Sequence, residues 1–509
     1  MDIIKQIYNQ AKSARETHED EISEAYKFTI PSRDIWRVQE GEVDRRKLFD
    51  GTAADSVQNL LSTILTLLIP NNQQWAHIDV RDELKPQTAP DIRQMLDMAN
   101  KVVFKTIRDS NFYVSASESL MDSIIAGTGA LTMIETDDGI DFLAVPSHQL
   151  YFLENYKGEV DTVFRAHSIP AQDVVEQYPN VNETTKKLAS KNPHAKVKIL
   201  ESCLKLPTDK SMMYRVFLEE GMELLQETPT PVQMFCVFRF NKELGSVWGS
   251  SPTRQALPHI RTANEATQLI MQQSAWAGLG AWQVDGSEST VNFNNSKIEP
   301  GDVITVDSPL QPIPFPGNFS ITFQAVEDQR QKIKEILYND AIIPPQQSQQ
   351  MTAFEVQVRQ SEFFRRIGPA GLRLEQEFLR PLIKNLIKRL QLRGELPEFI
   401  SDNKQFEIVV NSAVKKGISM SEIQRDMQLL QVVSQLGPEA VAQINISALA
   451  RKILRDGDMS PEVVLTEDEV QEKLQAQQQD TLLQQATQAI QGQDPRQAIP
   501  PQGMVGPSE

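Results

Sequence analysis

"MTAFEVQVRQSEFFRRIGPAGLRLEQEFLRPLI", residues 351–383, begins the longest helical pattern in the chain. Continued to Gln391 it covers 41 residues, about 60 Å if fully helical. Its second half places Leu372, Leu379, Leu382, Ile383, Leu386 and Leu390 at helical spacing, the mark of a buried stripe. Gly368, Pro369 and Gly371 predict a kink near the middle. Gly394 and Pro397 predict its end. Segment 351–400 carries nine basic and six acidic residues, as a mixed, solvated helix face would. Directly before the helix stands "IIPPQQSQQ", residues 342–350. Pro344 and Pro345 lack N–H donors and stiffen the backbone. Gln346, Gln347, Ser348, Gln349 and Gln350 follow, polar and uncharged. A stiff, neutral, hydrogen-bonding loop thus abuts the longest helix.

Upstream, residues 1–30 read as one polar helix with Ile3, Ile4 and Ile7 as an apolar patch, ended by Pro31. Val57, Leu60, Leu61, Ile64, Leu65 and Leu68 recur at three and four and predict a buried helix closed by Pro70. "WAHIDV" reads as a short strand, and two helices follow, from about Pro90 to Ser110 and through "SESLMDSIIAGTGA". "ALTMIE", the turn "TDDG" and "IDFLAVP" predict a hairpin. "DTVFRAHSI", "VKILESCLKL", "MMYRVFLEE" and "MFCVFRF" continue an antiparallel β region to about Trp248. A helix then starts with Ser251 as N-cap and Pro252 in the first helical position. It is rich in Ala, Thr and Gln, too polar for one protomer's core. Residues 278–318 are a Gly-, Asn- and Pro-rich β segment, and "AVEDQRQKIKEILYN" returns as a helix. Downstream, Ser419 with Glu422 and Thr466 with Glu469 form capping boxes that open helices. From 471 onward 12 of 39 residues are Gln, and the end of the chain predicts disorder.

Length and composition bound the function. A chain of 509 residues implies two to four domains. The net charge of −17 excludes a general basic grip on nucleic acid. Cys203 and Cys236 make neither a metal motif nor a disulfide framework, which fits a reducing interior. No signal-peptide pattern opens the chain, and its longest apolar run, residues 60–70, is too short for a bilayer, so a soluble protein is expected. There is no Gly-x4-Gly-Lys-Ser/Thr loop and no Gly-x-Ser-x-Gly elbow. The "GTG" at 127–129 reads as a tight turn before a strand, not a dinucleotide fingerprint. The six histidines are scattered without ligand spacing, so no metal, cofactor or catalytic residue is expected. Asp137 and Asp138 read as solvated turn residues.

Several ordered motifs resemble the portal proteins, or head-to-tail connectors, of short-tailed bacteriophages. Thr352-Ala353 with Glu355-Val356 matches the family's Thr-Ala-x-Glu-Val opening. Gly368-Pro369, Arg373-Leu374, and Glu377 with Leu379, Pro381 and Leu382 follow in the family's order. Asp50, Thr52, Ala53, Pro70 and Trp75 resemble its Asp-x-Thr-Ala helix with following Pro and Trp. "VWGSSP" departs slightly from its aromatic-Gly-x-x-Pro, with Trp248 in the aromatic place. The resemblance covers about residues 20–485.

The resemblance implies an α+β, mostly helical portal fold assembled as a cyclic ring, typically a dodecamer. It implies a wing (1–250), a stem helix (251–277), a β-rich clip (278–318) and a second stem helix (319–339). A tunnel loop (340–350) and a long wing-to-crown helix (351–395) follow, then crown and barrel helices (396–490) and a disordered tail (491–509). In that frame Pro344, Pro345, Gln346, Gln347, Ser348, Gln349 and Gln350 face the DNA channel. Trp282, Phe293, Asn294 and Asn295 of the clip face the tail adaptor. Implied partners are further copies of this chain, the adaptor, the terminase packaging motor, and major capsid and scaffolding or internal core proteins. Double-stranded DNA would pass without sequence specificity. The implied place is the portal vertex of the virion, after assembly in the host cytoplasm. A polar stem helix suits a heterologous interface with neighbouring copies, and acidity suits a channel to which DNA must not stick. A nucleic-acid-processing ring enzyme is the alternative, and the missing nucleotide-binding loop counts against it. A coiled-coil scaffold would need longer clean heptads.

Overall fold

In the computed structural model the described residues are 2–33, 48–71, 73–81, 90–136, 139–206, 211–279, 282–283, 311–312, 319–339, 353–397 and 406–410, with isolated helical positions between 425 and 449. The chain divides into two compact units, Met1–Gly417 and Ile418–Glu509. The capping boxes at 419–422 and 466–469 and the tail 491–509 lie outside the described residues.

The N-terminal segment is two helices rather than one, α1 (Asp2–Glu16) and α2 (Glu19–Thr29). They serve different cores. Ile4, Tyr8 and Ala11 of α1 pack with Tyr151, Phe164, Leu200 and Phe217, whereas Ile22, Ala25 and Tyr26 of α2 join the main core. Arg15 holds the break: its guanidinium lies 3.8 Å from the Tyr151 ring centroid and donates to the His148 carbonyl at 2.6 Å. Helix α3 (Thr52–Leu68) buries the expected stripe, including Val57, Leu60, Leu61 and Ile64. The strand β1 (Ala76–Val80), α4 (Pro90–Asp109) and α5 (Phe112–Ala126) follow.

The expected hairpin is β2 (Thr128–Thr136) with β3 (Gly139–Ala144), paired from Leu131↔Ala144 to Thr136↔Gly139. Strands β4 (Leu150–Glu154), β5 (Val160–Pro170), β6 (Lys196–Leu204), β7 (Met212–Leu218) and β8 (Glu223–Thr230) form an antiparallel meander in sequence order. Between β5 and β6, α6 (Ala171–Gln177) and α7 (Glu183–Lys191) are inserted. Val174, Tyr178 and Val181 cover Ile199 and Val216 of the sheet. The next strand, β9 (Phe235–Arg239), leaves the meander and pairs with β2, giving a three-stranded sheet of order β3–β2–β9. A short ribbon of β10 (Asn241–Lys242) and β11 (Gly249–Ser250) leads to α8 (Pro252–Leu279).

Beyond α8, β12 (Trp282–Gln283) pairs antiparallel with β13 (Gln311–Pro312), and α9 (Phe319–Ile336) runs back beside α8. The long helix comprises α10 (Ala353–Leu374), one π-helical turn at Glu375–Leu379, and α11 (Arg380–Leu392). Gly368, Pro369 and Gly371 lie within α10, and a π turn follows at 375–379. The helix ends where expected. Gly394 is left-handed (φ 75°), and the amide of Glu395 bonds the Leu390 carbonyl. Finally β14 (Phe406–Val410) pairs antiparallel with β1.

Candidate functional site

Helices α8 and α9 and the segments that leave them are the candidate functional elements. Helix α8 starts from a tight backbone crossing. Gly127 (φ 91°) closes α5, and a Cβ there would meet the Gly249 carbonyl oxygen at 2.2 Å; one on Gly249 would meet that of Gly127 at 2.1 Å. Only glycine at both positions lets the chains pass. The "GTG" turn is thus a packing crossing. Ser251 is the N-cap, its Oγ accepting from the Arg254 amide at 2.9 Å. The Ser251 and Thr253 hydroxyls also donate to the Ile125 and Ile124 carbonyls, both at 2.8 Å, so one helix start satisfies another helix's end. Ala256, Leu257, Ile260 and Ala263 are buried, whereas Leu269 and Met271 further along α8 are exposed.

Helix α9 is rooted on the same body. His259 Nδ1 lies 2.8 Å from Gln329 Oε1, joining α8 to α9. Arg330 Nε donates to Asp50 Oδ2 at 2.8 Å. Burial opposes the Asp50 charge, but bonds from Arg330 and Thr52 outweigh it and hold the carboxyl below its ordinary pKa. The helix ends in a capped turn. Tyr338 is left-handed (φ 58°), its amide bonds the Glu335 carbonyl at 3.2 Å, and the Asn339 amide bonds the Lys334 carbonyl at 2.8 Å. Asn339 Nδ2 donates to Ser56 Oγ on α3 at 3.3 Å.

The long helix is tied to the sheets by Arg239, a residue the sequence reading passed over. Its one signal was a charge inside the otherwise apolar "FCVFRF". At 1% exposure it donates to Glu377 Oε1 at 2.9 Å, Glu154 Oε2 at 2.8 Å and the Gly158 carbonyl at 2.9 Å. Its backbone amide donates to Glu377 Oε2 at 3.0 Å. Because β9 is an edge strand, a helix carboxylate takes the place of a further strand. Burial disfavours the Arg239 charge, but Glu377 and Glu154 reverse that effect and raise its pKa. Lys242 also reaches Glu154 Oε2 at 2.6 Å, and Arg373 reaches Glu377 Oε1 at 3.0 Å. The Cys236 thiol lies 3.4 Å from the Phe378 carbonyl in the π turn.

Of the expected contact residues, Trp282 is placed in β12 opposite Pro312. Phe293, Asn294 and Asn295, and the loop Pro344, Pro345, Gln346, Gln347, Ser348, Gln349 and Gln350, lie outside the described residues. Cys203 and Cys236 are buried free thiols; burial pushes Cys203 up to about 12 and Cys236 higher still. Among the described residues no cluster of three His, Cys, Asp or Glu could hold a metal ion, and no helix is long and apolar enough to cross a membrane.

A helix pair and a long helix are braced on the β-sheets of the body. The family model described as "Bacteriophage head to tail connecting protein" matches residues 2–464. The chain is 20% identical to the portal protein of Escherichia phage T7 over 489 residues, 92% of this chain and 89% of that protein. It is also 20% identical to the portal protein of Enterobacteria phage T3, over 93% of this chain and 90% of that one. For the portal protein of Salmonella phage epsilon15 the identity is again 20%, over 84% and 82%. With the family model spanning nearly its whole length, the chain belongs to the bacteriophage head-to-tail connecting proteins and has a portal function.

Proposed function

We propose that copies of this chain close into a ring, a dodecamer by resemblance, at one vertex of the capsid. Genomic DNA enters and leaves through the ring, and the tail attaches to it. The observation that carries this reading is the α8–α9 pair, buried on its body near His259 and Gln329 yet exposing Leu269, Met271 and Phe323 further out. Neighbouring copies in a cyclic interface would cover that surface. In this reading α8 and α9 form the stem and 278–318 the clip that meets the tail adaptor. Residues 340–350 are the tunnel loop, and the crown follows β14, which pairs with β1 of the wing. The packaging motor is a separate partner, and the ring performs no chemistry of its own. Glutamines in the loop offer phosphates reversible hydrogen bonds without the salt-dependent grip of a lysine ring.

Light scattering on the purified protein tests the ring: a mass many times 57.4 kDa is expected, and a stable monomer rejects the reading. ATP turnover that tracks the pure protein would favour a ring enzyme instead. Replacing Trp282 and Phe293 together by Ala should spare rings and weaken capture of the tail adaptor. Normal capture by intact rings would remove the clip assignment. Replacing the four loop glutamines by Lys should slow DNA movement, read as nuclease-protected DNA in assembled heads.

A further inference from the structure

Tyr338 stands where helices ordinarily place glycine. Its φ of 58° is left-handed, and its cap is complete, with the Tyr338 and Asn339 amides bonded to the Glu335 and Lys334 carbonyls. Glycine would make the same turn without a Cβ penalty, so the backbone alone gives no reason for a tyrosine. The ring supplies one. Arg366 of α10 places its guanidinium carbon 5.3 Å from the Tyr338 ring centroid and donates from NH2 to the Glu335 carbonyl. One cation therefore meets both the aromatic face and the negative end of α9. Three neighbours fix the position: Asn339 bonds Ser56 on α3, and Phe363 and Ile367, on either side of Arg366, are buried at 2% and 3%.

We propose that Tyr338 and Arg366 form a clasp that joins the end of α9 to α10 and fixes the points from which the intervening chain extends. They are positioning residues. Thirteen residues separate Asn339 from Ala353, and the clasp ties the helices at both ends of that span. Without it this polar tie between the end of α9 and α10 is lost, and the span's two attachment points are freer to shift relative to each other. The consequence for DNA rests on the proposed channel role of 340–350.

The test uses the assembled full-length protein and compares Tyr338→Gly, Tyr338→Phe and Arg366→Lys. Tyr338→Gly relieves the left-handed strain but deletes the ring, so the melting temperature should hold or rise. Amide exchange in 341–352 should nevertheless quicken at least threefold. Tyr338→Phe keeps the ring and should match the wild type. Arg366→Lys loses the planar guanidinium and should behave like the glycine variant, which covers the case where substitution at 338 disturbs folding. Exchange unchanged in both Tyr338→Gly and Arg366→Lys would overturn the clasp. If exchange quickens and nuclease-protected DNA in assembled heads falls, clasp and channel reading stand together. If exchange quickens while protected DNA stays at the wild-type level, the clasp stands and the loop's role on DNA is overturned.

Discussion

Arg239 can be buried because its donors meet two carboxylates and two carbonyls. Removing it leaves Glu377 only the residue-239 backbone amide and Arg373, and takes away the guanidinium that joins Glu377 to Glu154. Arg239→Ala should cost about 3–5 kcal/mol in urea melts, whereas Glu377→Gln, which keeps an acceptor, should cost less than half of that. Equal losses would show that shape rather than charge makes the joint. Asp122 is the opposite case. It is 1% exposed, accepts from the Tyr26 hydroxyl at 2.9 Å and lies 3.3 Å from an Arg33 nitrogen. Burial nevertheless pushes its pKa up to about 6, against the pull of Arg33 and Tyr26. A carboxyl with a raised folded pKa favours folding while protonated, below its unfolded value near 4, and loses that contribution as pH rises through about 6. Between pH 4 and pH 8 the stability gap between Asp122→Asn and wild type should therefore move by roughly 2–3 kcal/mol in the variant's favour. A pH-independent gap would mean the carboxyl titrates normally. Both thiols should resist modification in the folded protein and react on unfolding, since burial holds them protonated; thiol titration with and without denaturant reads this directly.

Individual elements were legible to the degree that their signals were local. The β2–β3 hairpin carried its turn in four residues, α3 its stripe in seventeen, and α8 its cap in Ser251 and Pro252. The break between α1 and α2 was not visible, because it answers to two separate cores that sequence does not separate. Nor could "MFCVFRF" announce that it would pair with β2, since a strand's apolar pattern does not name its neighbour. The π turn at 375–379, where Arg239 and Cys236 of β9 bond Glu377 and Phe378, had no signal in its own residues. Glycine substitutions separate these cases. Gly249→Ala should destabilise by about 3 kcal/mol or more, because its Cβ would strike backbone. Gly368→Ala has open space, but the Cβ of a helical residue before Pro369 is penalised, which offsets the usual gain, so it should change stability by less than about 1 kcal/mol. Thermal melts should show a large drop for the first variant and a small change for the second. The proposed tunnel loop and clip come from the resemblance, and most of their residues lie outside the described ones.

At the scale of the whole molecule, charge and association oppose each other. In the proposed dodecamer twelve copies at −17 would carry a formal −204, so rings should form more readily as added salt screens the repulsion. Sedimentation across a salt series should show the ring fraction rising before any specific salt effect intervenes, and rings favoured at low salt would contradict this. One further consequence belongs to time rather than space. Strand β1 ends at Val80 and its partner β14 ends at Val410, about 330 residues later. At ribosomal speeds of roughly 5–20 residues per second, β1 waits on the order of 20–60 s for its mate. During synthesis the first half of the protein therefore holds an open strand edge that only the second half can close. A chain released before residue 406 keeps that edge unpaired, which favours sticking to other nascent chains over assembly. The pairing thus restricts a fully folded body to chains that have been translated past Val410.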